Sequence, residues 1–157
     1  MHAEWSIRAL EAGKHVLCEK PMTANEAEAR ALARAVHRSD RVWMEAFHYP
    51  YHPFAKRVRD LLDTRAIGDV QSVDAAFQIP GKFISPDNIR RKFSLGGGAL
   101  MDLGCYALRA LRDILGEPEE VREARAEVDP SEPQVDVRMR AIKAIYRKAG
   151  LSVRGVA

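Results

Sequence analysis

A ten-residue stretch, Ala12–Pro21 (AGKHVLCEKP), constrains this chain more than any other part of it. His15-Val16-Leu17-Cys18 is a short apolar run bounded by Gly13 and Pro21, the pattern of a buried strand in a parallel sheet. It delivers an acid, a base and a proline in succession: Glu19, Lys20 and Pro21. Burying a charged pair at the end of such a strand is costly unless something there uses it. In open α/β sheets ligands bind beyond the carboxyl ends of the strands, which is where Glu19 and Lys20 emerge. The competing reading is a Glu–Lys pair on a solvated loop stopped by a proline, and spacing alone leaves both open.

Composition narrows the class. At 157 residues, 46% hydrophobic and 30% charged, the chain has enough apolar content for an ordinary domain core and is not a disordered sequence. No apolar run approaches the ~20 residues of a membrane-spanning helix, so no membrane partner is expected. The net charge of +3 comes from 25 basic against 22 acidic residues scattered along the chain, which does not argue for nucleic acid. The short run Arg90-Arg91-Lys92 reads as a local anion contact or a solvated turn. Cys18 and Cys105 sit in apolar settings that suit free thiols in a reducing, cytoplasmic compartment rather than a disulfide framework.

Periodicity supplies the organisation. Ala3, Ile7 and Leu10 predict a helix over His2–Ala12, with Gly13 at its C′ position. Thr23 and Glu26 predict a capping box opening a helix that runs to about His37, and Val42–Phe47 reads as the next strand. In Tyr49-Pro50-Tyr51-His52-Pro53 two prolines predict extended backbone before Pro53 starts a helix. Phe54, Val58, Leu61 and Leu62 would line the buried face of that helix, and Gly68 follows its end. Val70–Ile79 alternates with period two, a half-buried strand, and Pro80–Leu95 has no period. Leu100, Leu103, Ala107, Leu111 and Ile114 predict a helix over Ala99–Leu115, stopped by Gly116. Strands are expected at Val121–Val128, Val135–Tyr146 and Leu151–Ala157, the last two joined by a hairpin turn at Lys148-Ala149-Gly150.

The fold class is therefore α/β. Residues 1–48 read as the last βα units of a parallel layer. Residues 49–157 read as a second α/β domain with a mostly antiparallel open sheet and helices on one face. Both ends look unfinished, since a buried parallel strand needs neighbours and the last strand runs to Ala157.

Three further groups carry chemistry. Gly96-Gly97-Gly98 before a helix offers free amides that attract anions, or simply a flexible helix entry. It is not a dinucleotide fingerprint, because Met101 stands where G-x-G-x-x-G needs glycine. Asp102, Tyr106, Arg109 and Asp113 form a polar stripe on the following helix. Arg109 and Asp113 make a surface pair, while Asp102, favoured as an anion by the helix dipole, could orient Tyr106 and hold a substrate hydroxyl. An Asp stabilising its own helix start is the equal alternative. His48 and His52, four apart but separated by Tyr-Pro-Tyr, do not make a metal pair, so no metal is expected. His52 and the nearby aromatics read better as the wall of a small-molecule cleft.

Taken together, AGKHVLCEKP, GGGALMDLGCY and MEAFHYPYHPFAKRV resemble the glucose–fructose oxidoreductase/inositol dehydrogenase/MocA family of NAD(P)-dependent oxidoreductases. The resemblance covers roughly Met1–Val128 and loosens from Asp129. It implies an N-terminal Rossmann domain, an α/β substrate domain and NAD or NADP as cofactor. The implied reaction is hydride transfer between the nicotinamide and a secondary alcohol of a sugar, polyol or cyclic diol. Lys20 would stand beside the nicotinamide and contact the substrate hydroxyl, with Glu19 and Pro21 shaping that cofactor-side turn. Asp102 would bind substrate and orient the acid/base group. Tyr106 stands where many members carry His, so either it or Lys20 takes the proton. His52 and Arg91 are candidate substrate contacts. The family's glycine-rich loop would lie upstream of the E-K-P strand and finds no room here. The chain therefore reads as a fragment, inactive alone and self-associating through its C-terminal sheet as a homo-oligomer. The rival reading is a non-catalytic α/β module that pairs through that open sheet.

Overall fold

Alternation along two three-residue strands sets the first part of the molecule. The computed structural model describes residues 1–70, 73–80, 83–146 and 151–156, with side chains up to residue 138 within them. It divides into two compact units, Met1–Pro50 and Tyr51–Ala157. In the first, β1 (Val16–Cys18) and β2 (Trp43–Glu45) pair in parallel, Val16 opposite Trp43 and Cys18 opposite Glu45. Two helices, α1 (His2–Glu11) and α2 (Glu26–Arg38), supply the apolar cover. Leu10, Leu32 and Ala35 are buried with Ile7, Val16, Val36 and Trp43 packed on them. Each fully buried leucine contributes about 1.5–3 kcal/mol.

The period-two rule corrects one expectation here. Val16 and Cys18 face the helices, but Leu17 points to the other face and is 70% exposed, as is Met44 beside it in part. The strand is buried on one face among the described residues, not on both.

Helix ends follow their capping chemistry. Gly13, at φ +72°, closes α1 as expected, its N–H bonding to Leu10 O while Lys14 N–H reaches Ala9 O. The capping box of α2 lies two residues further on than Thr23 and Glu26 predict. Asn25 Oδ1 accepts from Glu28 N at 2.9 Å, and Glu28 Oε2 accepts from Ala24 N at 3.1 Å. Thr23 is buried and its hydroxyl donates to Asn25 O instead. Tyr49–Tyr51 is a 3-10 turn rather than extended chain, although His52, just before Pro53, has the extended backbone that a following proline favours.

In the second unit α3 (Pro53–Asp63) starts at the predicted proline. Its predicted buried face is only half realised: Val58, Leu61 and Leu62 are half-buried, while Phe54 is 70% exposed. The residue that ends it is Arg65, at φ +53°, with Gly68 in the turn after. A four-stranded sheet follows, in the order β3 (Asp74–Ala76), β6 (Leu151–Val156), β5 (Glu132–Tyr146), β4 (Glu120–Asp129). β3 runs parallel to β6 and the other pairs are antiparallel. β3 is shorter than the alternation of Val70–Ile79 predicts, and the expected Lys148–Gly150 turn lies outside the described residues. The helix α4 (Cys105–Leu115) sets Leu111 against Val73, Ala75 and Leu115. The α/β class, a parallel layer followed by a mostly antiparallel sheet, is what the chain forms. Among the described residues no helix is long and apolar enough to cross a membrane.

Burial separates two large apolar side chains that sequence periodicity treats alike. Leu111→Ala is expected to cost about 2–5 kcal/mol of stability, and Phe54→Ala about 0.5 kcal/mol or less. Urea unfolding followed by circular dichroism checks the order, and equal costs would contradict the packing described.

Candidate active site

The candidate side chains fall into two groups, one in each unit. In the first, β1 ends at Cys18, and the chain turns through Glu19, Lys20 and Pro21, the Lys20–Pro21 bond being cis. Two contacts fix this turn. Glu45 Oε1, at the end of β2, accepts from Met22 N at 2.7 Å, and the His2 ring nitrogen Nδ1 donates to Pro21 O at 2.7 Å. Ala46 N also bonds to Cys18 O at 2.7 Å. Glu19 is exposed, and Lys20 and Pro21 are half-buried. The lysine is thus carried at the carboxyl end of a parallel pair by a turn held on both sides.

The second group surrounds the entry of the helix that bears Asp102. This entry is not regular α-helix. Leu100–Gly104 forms a π-turn, with Cys105 N–H bonding back to Leu100 O, before α4 begins. An extra residue per turn departs here from the 3.6-residue phase on which the stripe from Asp102 to Asp113 is read. Asp102, its side chain only 13% exposed, accepts at Oδ2 from Arg90 Nε at 2.6 Å. Tyr106 is half-buried and packs edge-on against Phe77, with ring centres 5.4 Å apart. Arg109 and Asp113 form the expected surface pair at 2.9 Å.

The glycine triplet does something other than the ligand-binding role considered for it. Leu100 N donates to Asp136 Oδ2 at 2.7 Å, so the anion at this helix start is the chain's own carboxylate, brought by β5. A Cβ at Gly98 would collide with Asp136 Oδ1. One at Gly97 would lie 2.7–2.8 Å from Arg90 O, Ile89 O and Lys92 N, all backbone atoms that cannot swing aside. Both glycines are required by close approach.

The run Arg90-Arg91-Lys92 is indeed a local anion contact, and the anions are internal. Arg91 Nη1 donates to Asp129 Oδ2 at 3.2 Å at the β4–β5 turn. The Ser131 hydroxyl and amide donate to Asp129 Oδ1 at 2.6 and 2.9 Å. These bonds, Ser131 foremost and Arg91 after it, hold the Asp129 carboxyl below its ordinary value against the opposing effect of burial. His52 caps α3, its Nδ1 accepting from Phe54 N at 3.1 Å, which leaves Nε2 as the protonated nitrogen of the neutral ring. Among the described residues no three His, Cys, Asp or Glu side chains come together as metal ligands. Sequence reasoning missed Glu45 and Asp136. Their partners lie 23 and 36 residues away, where no local pattern points.

Comparison with known proteins decides the family. Residues 1–47 match the model of the oxidoreductase family with an NAD-binding Rossmann fold, and residues 55–145 match the GFO/IDH/MocA C-terminal domain. The chain belongs to the GFO/IDH/MocA family. It is 44% identical over 124 residues to the dTDP-3,4-didehydro-2,6-dideoxy-alpha-D-glucose 3-reductase of Streptomyces violaceoruber, a match covering 79% of this chain and 36% of that protein. It is 38% identical over 144 residues to D-xylose 1-dehydrogenase (NADP(+)) 2 of Haloferax volcanii, covering 90% of this chain and 42% of the relative. Among solved structures it is similar to KijD10, a 3-ketoreductase from Actinomadura kijaniata, in complex with NADP and TDP-benzene. The TM-score is 0.86 at 36% identity, over 99% of this chain and 46% of KijD10. The chain thus spans less than half the length of these relatives. The cofactor class expected from the motifs, NAD or NADP, is that of this GFO/IDH/MocA family.

A carboxyl whose folded pKa is lowered adds stability that is full above the ordinary carboxylate range and disappears as pH falls through the lowered value. Asp129→Asn should therefore melt below the native chain near pH 7, with the gap closing toward pH 2. Thermal melts across that range check this, and a gap independent of pH would contradict it.

Proposed function

We propose that this chain carries the catalytic part of an NAD(P)-dependent oxidoreductase acting on a secondary alcohol, or the corresponding ketone, of a sugar, polyol or diol. The observation that carries the reading is the Lys20 turn, anchored through Met22 to Glu45 at the carboxyl ends of two parallel strands. That edge is where α/β sheets receive ligands, and the half-buried Lys20 stands on it. The relatives add weight: a reductase and a dehydrogenase whose names specify sugars are among them. KijD10 was also solved as variants of one lysine and of one tyrosine, the two residue types proposed here for the proton.

The residues fit the nicotinamide end of a dinucleotide, with Glu19, Lys20 and Pro21 forming the cofactor-side turn. Bound there, the nicotinamide supplies the hydride acceptor or donor. The chain's own side chains handle the rest. Lys20 contacts the substrate hydroxyl, and either Lys20 or Tyr106 takes its proton. Asp102 accepts a hydrogen bond from the substrate and orients the acid/base group. His52, through Nε2, and Arg91, through the N–H groups that Asp129 does not use, are the proposed outer substrate contacts.

In this reading residues 1–48 form the cofactor layer and residues 49–157 the substrate layer. No glycine-rich dinucleotide loop occurs in these 157 residues, so on their own they hold a pyrophosphate weakly and do not turn over. Pairing of copies through the open sheet belongs to the same proposal.

The experiment places these residues behind a glycine-rich dinucleotide-binding βαβ unit and follows NADPH absorbance with sugars and diols. Lys20→Met is expected to lower turnover by about 10²–10⁴-fold while cofactor affinity is kept. Unchanged turnover would remove Lys20 from the reaction.

A further inference from the structure

We propose that Glu45 is a positioning residue for Lys20: its carboxylate holds the turn that carries the lysine, as a placed hydrogen-bond acceptor and not through its charge. The proposal rests on the reading of Lys20 as a group that meets the substrate, and names what sets its direction.

Glu45 stands where a strand of this kind ordinarily carries an apolar residue. It shares a face of β2 with Trp43, two residues before it, and Trp43 packs on the cluster of Leu10, Leu32 and Ala35. Glu45 is half-buried there, and a carboxylate taken out of water is costly unless it is hydrogen-bonded. Its bond is to Met22 N at 2.7 Å, the short distance of an ionised acceptor.

The strand register gives that bond its consequence. Glu45 lies opposite Cys18, the last residue of β1, and the next bond is Ala46 N–H to Cys18 O at 2.7 Å. From Glu19 onward the chain has left the ladder. It is tied back to β2 at Met22, two residues after the lysine, by the Glu45 side chain. His2 also holds Pro21 O at 2.7 Å, but from an exposed position where water competes for both partners. The Glu45–Met22 bond is part-buried, so that competition is weaker there. Holding the backbone at Cys18 and Met22 leaves Lys20 in the middle of a short span with both ends attached to the sheet. A backbone N–H asks only for an oxygen in the right place. Glutamine offers one on a side chain of the same length, and alanine offers none.

The test uses the full 157-residue chain, labelled with ¹⁵N and given no substrate or cofactor, and reads backbone order parameters by NMR relaxation. The Lys20 amide is expected at about 0.85 in the native chain and at about 0.6 or below in Glu45→Ala, with α1 and α2 unchanged. Glu45→Gln is expected to keep the native value. A Lys20 order parameter unmoved in Glu45→Ala would overturn the proposal. So would a Glu45→Gln turn as mobile as that of Glu45→Ala, which would assign the effect to charge. Should Glu45→Ala fail to fold, hydrogen exchange at the Met22 amide decides. Protection is expected in the native chain and in Glu45→Gln, and exchange as fast as in an unstructured peptide in either would overturn the proposal. None of these signals involves turnover. Unchanged turnover in Lys20→Met would therefore remove the reading of the lysine while leaving the anchoring by Glu45 in place.

Discussion

The arrangement around Asp102 depends on one steric fact: the backbone passes too close at Gly97 for any side chain. Three backbone atoms, Arg90 O, Ile89 O and Lys92 N, lie within 2.8 Å of where a Cβ would stand. That contact docks the turn at residues 88–92 against the helix entry. Once docked, the turn has Arg90 on Asp102 and Arg91 on Asp129. Gly98, at φ +127°, repeats the device for Asp136 and lets β5 cap the same helix. Loop, helix and sheet thus converge on one helix entry.

The first unit reaches a similar end by other means. Its parallel strands are three residues long, too short to fix the turn at Lys20 by pairing alone. Glu45 makes up the difference by accepting from Met22 N, and His2 holds Pro21 O from the start of α1. Each unit places one ionisable group on a backbone tied at two points. Such double anchoring is what a site needs if a side chain is to hold its direction while bonds change.

The features legible in the sequence were those with a local signature. The α1 stripe and Gly13, the proline at the start of α3 and the apolar face of α4 were all read from spacing, and all are present. The class of the fold and the family followed from the motifs around Lys20 and Asp102. What spacing missed is physical in origin. A capping box moved by two residues because Asn25 outcompetes Thr23, whose hydroxyl is drawn inward. The π-turn at Leu100–Gly104 breaks the helical phase without any proline or glycine pattern that announces it. The roles of Glu45, Asp136 and Arg90 come from contacts 12 to 36 residues apart in the chain, which periodicity cannot reach.

The central claim is that these residues serve hydride transfer at a carbinol carbon. It is tested most directly by following the hydrogen itself. The residues, joined to a glycine-rich dinucleotide-binding unit, would be given NADP and a panel of sugars and diols deuterated at their carbinol carbons. The account predicts deuterium at C4 of the reduced nicotinamide for at least one of them. Deuterium found only in water, or none transferred from any of the panel, would contradict it.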